Sequence, residues 1–100
     1  MSTDKSFSFT AEVFLWDANS SWHFLALPIE IADEIEDSPV LRGGFGSVKV
    51  VVTIGSSNWT TSIFPDNKRK TFVLPLKKQI RRDESISVGD RVKVTLVLVN

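Results

Sequence analysis

His23 is the single histidine of the chain, the residue type whose charge changes near neutral pH, and it stands in an apolar run between Trp22 and Phe24. No second histidine and no cysteine is present to share a metal with it, so the ordinary reading is a partly buried imidazole satisfied by backbone, and the sharper one a general base. A second group of polar residues, Ser56, Ser57, Asn58, Thr60, Thr61 and Ser62, surrounds Trp59. Such residues line a small-molecule cleft or form the wet side of a hairpin. His23, Trp59, Thr61 and Ser62 are therefore the candidate ligand-binding residues. A third group is basic: Lys68, Arg69 and Lys70 in a turn, with Lys77, Lys78, Arg81 and Arg82 close behind. These seven charges are the candidate nucleic-acid contacts, and binding through them would weaken steeply with salt.

Other motifs carry less. Glu30, Asp33, Glu34, Glu36 and Asp37 lack the alternating Asp/Asn spacing and central glycine of a calcium loop, so no metal site is expected. Gly43-Gly44-Phe45-Gly46 is followed by a strand pattern and by no Gly-Lys-Ser/Thr, which reads as a bend and excludes a phosphate loop. No catalytic residue and no cofactor is assigned.

Charge is sharply segregated although the net formal charge is zero. Residues 1–41 hold eight acids against Lys5 alone, and residues 42–82 hold nine bases against Asp66 alone. The two segments either form binding faces or neutralise each other in the fold. At 100 residues the chain makes one domain, large enough to fold without staples. It has no cysteine, no apolar leader behind Met1-Ser2-Thr3-Asp4, and no apolar run near the ~18 residues of a spanning helix. A cytoplasmic location is the expectation.

The elements that must position these residues are mostly strands. Residues 1–5 are expected to be a disordered lead, and residues 6–100 a single β-barrel domain. Phe7, Phe9, Ala11, Val13 and Leu15 alternate along one strand, whose end is apolar on both faces through Phe14 and Trp16. Asp17-Ala18-Asn19-Ser20-Ser21 turns it into a second strand, 22–27, making a hairpin. Pro28 opens a short helix over 29–36 with Ile31 and Ile35 inward and its acids outward. Strands are predicted over 48–54 and 59–64, with turns at 55–58 and 65–67. Phe72-Val73-Leu74 is a further strand; Pro75 then starts a basic helix over 76–82 in which Leu76 and Ile80 share a face. Gly89-Asp90 turns the chain into a final strand alternating at Val92, Val94, Leu96 and Leu98.

Leu27-Pro28-Ile29 and Leu74-Pro75-Leu76 repeat one plan: a strand, a short amphipathic helix, glycine, then a β-branched strand. Two such units can close a pseudo-symmetric barrel within one chain, which predicts a monomer.

Phe9-Thr10-Ala11-Glu12-Val13, Trp22-His23-Phe24-Leu25-Ala26-Leu27-Pro28, Gly46, Thr61-Ser62-Ile63 with Pro65, Leu74-Pro75-Leu76, Ile80-Arg81 and Val88-Gly89-Asp90-Arg91-Val92 follow in that order. In this series the chain resembles the bacterial family called domain of unknown function nineteen-oh-five. The resemblance implies an all-β, closed double-split β-barrel of about six strands with two short capping helices, a fold shared with AbrB-type swapped-hairpin regulators. It implies no activity for any residue. The leading expectation is a non-enzymatic binding or accessory domain with a protein or small-molecule partner. The alternatives are a DNA-associated regulator using the basic turn and helix, and a small-molecule-binding or hydrolytic barrel.

Overall fold

The computed structural model describes residues 5–17 and 21–99. Seven strands form one antiparallel sheet: β1 Ser6–Glu12, β2 Phe14–Leu15, β3 His23–Ala26, β4 Val48–Ile54, β5 Ser57–Asp66, β6 Thr71–Leu76 and β7 Arg91–Leu98. Helix α1 is Ile29–Asp37 and helix α2 is Lys78–Asp83. The strand order is β1-β7-β4-β5-β6-β3-β2, curled into a half-barrel.

Two features of the expected barrel are corrected. The first apolar run is two strands rather than one, which raises the number from about six to seven. It breaks at Val13, so that β1 pairs with β7 while β2 pairs with β3; only its last two residues join the expected hairpin. Val13 is buried and held at the corner from both sides: its N–H donates to the Asp90 carbonyl at 2.9 Å, and the Val13 carbonyl accepts from Gly89 N–H at 2.9 Å. The barrel is also not closed. Its edge strands β1 and β2 are joined through Val13 by the chain and not by a ladder of hydrogen bonds. Of the expected lead, Lys5 alone is described, and its carbonyl accepts from Leu98 N–H at 3.1 Å. Residues 18–20 of the expected turn lie outside the described residues.

The core fills the concave side. Alternation puts Phe7, Phe9, Val50, Val52, Ile63, Leu74, Val94 and Leu96 on one face, buried to between 0% and 8% exposure. From α1, Ala32 and Ile35 reach this core. Pro28 serves α1 through its carbonyl, which accepts from Ile31 and Ala32 N–H at 3.1 and 3.0 Å. The two repeated units meet as equivalents: β3 pairs with β6 and β4 pairs with β7.

Pro75 does not start a helix. It lies within β6, opposite Phe24, and α2 begins only at Lys78. Leu76 pairs with His23 and is buried, and the pairing of β6 with β3 outweighs the helical preference of the Pro-Leu sequence. Leu76 and Ile80 are both buried, as their spacing predicts, but from a strand and a helix. Pro65 likewise belongs to β5 instead of the following turn, which runs over residues 67–70.

Candidate functional site

The register decides where the sheet opens. Leu27 N–H donates to the Phe72 carbonyl, so within the β3–β6 ladder Phe72, Leu74 and Leu76 turn their polar groups to β3. Thr71, Val73 and Pro75 then turn theirs to β5. Pairing with β5 runs from Asp66↔Thr71 to Phe64↔Val73 and stops there, where the next bonded partner on β6 is Pro75, with no N–H to give. Beyond that point β5 and β6 part.

The split holds a cleft of about 330 Å³, lined by residues 21–24 from the start of β3, by Trp59, Thr60 and Thr61 from β5, and by Pro75, Leu76, Lys77, Lys78 and Arg81. Three of the four expected ligand-binding residues, His23, Trp59 and Thr61, are therefore brought together. Ser62 is not among the lining residues; it stands opposite Lys49 in the β4–β5 ladder. His23 is half-buried, and its Nδ1 lies 2.8 Å from the Ser21 carbonyl. A carbonyl only accepts, so Nδ1 carries the hydrogen and Nε2 is left as acceptor when the ring is neutral. Trp59 packs one side against the core, which fixes it as a wall.

The basic residues do not form one patch. The turn of Lys68, Arg69 and Lys70 precedes β6 and the helix cations follow it, so six strand residues, roughly 20 Å, separate them. Arg69 has local partners: Nη1 donates to Asp66 Oδ2 at 2.8 Å, and its guanidinium lies 4.0 Å from the Phe14 ring centre. Burial would push the Asp66 carboxyl up, but the Arg69 side-chain bond, the Arg69 and Lys68 N–H groups and the Arg69 charge together hold it below its ordinary value. Lys70 shares a second recess with Asp33, Glu36 and Arg42, and Glu36 bonds Arg42 at 2.9 Å. The acidic helix thus faces the basic turn. Among the described residues, Lys77, Lys78, Arg81 and Arg82 have no ion pair, although Arg81 Nε donates to the Leu76 carbonyl at 3.2 Å. Charge segregation along the chain becomes a recess of mixed charge at one end of β6 and a group of cations without an ion pair at the other.

α2 is anchored by its C-terminal end. Ser57 Oγ donates to Glu84 Oε2 at 2.6 Å, tying the helix to the β4–β5 hairpin whose turn begins at Gly55.

Trp22 and Phe24, on the outer face of the sheet, are not among the ligand-binding residues that the sequence suggests. Trp16 and Trp22 are 51% and 68% exposed, and both pack at a tilt against the buried Phe24, with ring centres 5.4 and 6.3 Å away. Among the described residues no cluster of acids and histidine could hold a metal. No helix among them is long and apolar enough to cross a membrane.

These features define a small antiparallel half-barrel, split beside a proline, with a basic and aromatic cleft at the split. Over residues 9–96 the chain matches the family model described as Domain of unknown function (DUF1905), and it belongs to that family. No curated protein matches the chain.

Proposed function

We propose that this chain is a non-enzymatic binding module that captures a small anionic ligand in the cleft between β5 and β6. The observation that carries the reading is convergence: His23, Trp59 and Thr61 meet Lys77, Lys78 and Arg81 around one recess, and these cations have no ion pair among the described residues. Cations without an acidic partner hold a carboxylate or phosphate at lower desolvation cost than cations that must first break an ion pair. Thr61 supplies a hydroxyl and Trp59 a flat wall. Binding is favoured over hydrolysis because the His23 Nδ1–H meets a backbone carbonyl, and no carboxylate among the described residues lines the cleft to complete a triad with it. A cytoplasmic monomer of bacterial origin fits the same reading.

The test is amide chemical-shift mapping with benzoate and phenyl phosphate at low salt. Shifts concentrated at residues 21–24, 59–61 and 75–81, and lost in a Lys77→Gln/Lys78→Gln/Arg81→Gln variant, are the expected result. Shifts scattered elsewhere, or unchanged in the variant, would remove the reading.

A second reading, association with nucleic acid, is supported by the uncompensated cations of α2 and by the pairing of two strand–helix–strand units, a plan like that of AbrB-type regulators. The separation of the basic turn from α2 weighs against a single phosphate-binding track. Anisotropy of labelled duplex DNA across a salt series decides it: binding that weakens steeply with salt and vanishes in the triple variant supports this reading, and no binding at the lowest salt retires it.

A further inference from the structure

We propose that the ligand is an amphipathic anion, whose charged end enters the cleft and whose apolar body lies along the aromatic outer face of the sheet. This rests on the anion-binding reading above and extends it. The outer face carries a groove of about 610 Å³ lined by Trp16, Trp22, Phe24, Phe64, Val73 and Pro75, with Pro65 at its side. Trp22, Phe24 and Pro75 line both this groove and the basic cleft, so the two recesses share a wall.

The shared wall follows from strand geometry. Along β3 the side chains alternate, so His23 and Leu25 face the concave side while Trp22 and Phe24 face outward. Pro75, opposite Phe24, extends the outward surface and at the same time opens the split. One strand end therefore offers a polar recess on one side and an aromatic shelf on the other. Phe24 is 6% exposed and is the centre of the shelf, with Phe14, Trp16 and Trp22 packed at a tilt around it, so the aromatic surface is formed before any ligand arrives. Large aromatic side chains exposed together, beside cations that lack ion pairs, match a ligand with an apolar body ending in one negative charge. A purely apolar ligand would leave the cations unused, and a compact anion would leave the shelf in water.

The test is a titration of the full chain, followed by amide shifts and tryptophan fluorescence, with acetate, hexanoate, decanoate and 2-naphthoate, and with decanol and 2-naphthol as uncharged counterparts. Decanoate or naphthoate is expected to bind at least tenfold more tightly than acetate, the two separating an alkyl from an aryl body. Trp22→Ala, at an exposed position, is expected to remove most of that gain, and Lys77→Gln/Arg81→Gln to weaken decanoate at least tenfold while leaving decanol unchanged. Acetate binding as tightly as decanoate in the cleft would overturn the amphipathic ligand and leave the anion reading standing. Decanol binding as tightly as decanoate, or no binding by any acid, would overturn both.

Discussion

Pro75 stands opposite Phe24 in a pair that requires no hydrogen bond from either backbone, and the N–H that Pro75 lacks is the one that would have continued the ladder to β5. One residue thus completes one ladder and ends the next. The split, the cleft and the continuity of the outer aromatic face all depend on that asymmetry.

Replacing Pro75 by valine restores the missing donor. The β5–β6 ladder is then expected to extend to the Ser62 position and narrow the cleft. The added hydrogen bond contributes about 1 kcal/mol and the lost rigidity of the unfolded chain offsets it, so stability should move by less than about 1 kcal/mol. Hydrogen exchange would show a protected amide at position 75, and anion binding should weaken at least tenfold. A freely exchanging amide there would mean that the split has another cause.

Asp66 is buried at the end of β5 and holds the following turn through Arg69 and Lys68. Its carboxyl is held below its ordinary value, so it contributes stability that is fully present above the unfolded value of roughly 3.9 and lost as pH falls through the lower folded value. Asp66→Asn should cost about 1–3 kcal/mol at pH 7. Urea denaturation of both proteins between pH 7 and 2 should show the gap closing at the acid end.

Gly55 has a φ of 56°, and a Cβ there would overlap the Glu84 carboxyl. Gly55→Ala therefore strains the backbone and forces Glu84 away from Ser57, at a combined cost of about 2–3 kcal/mol. Glu84→Ala added to it should cost much less than Glu84→Ala alone. Additive losses in a double-mutant cycle would show the two residues to be independent.

Phe45 adopts a left-handed φ of 59° between Gly44 and Gly46, with its side chain 94% exposed. It loses conformational energy without gaining burial. Asparagine tolerates this region better, so Phe45→Asn should stabilise the protein by about 0.5–1 kcal/mol, seen as a rise of a few degrees in Tm. An unchanged or lower Tm would point to a contact of the ring that the fold does not reveal.

Much of the architecture is legible in local pattern. Alternation at Val92, Val94, Leu96 and Leu98 marks β7 because a strand buried on one face must repeat every second residue. Ile31, Ala32 and Ile35 mark α1 by the helical repeat, with Ile31 on the margin of the core. His23, Trp59 and Thr61 were recognisable as residue types able to bind, although nothing in their spacing placed them together.

What the sequence determined by itself was where most of the strand runs lie, that two short helices join them and which faces they bury, since these follow from nearest-neighbour periodicity. Tertiary structure decided the rest. The run from Ser6 to Leu15 looks continuous, and only the hydrogen bonds of Val13 to Gly89 and Asp90 divide it between two partners. Pro75 reads equally well as a helix start, and only the presence of β3 on one side, with the pairing to β5 ending on the other, makes it a strand residue that opens the sheet. The seven cations look like one group along the chain, but β6 holds them apart, and at one end Arg69 pairs with Asp66 while Lys70 shares a recess with the acids of α1, because register and charge balance are properties of elements brought together across the fold.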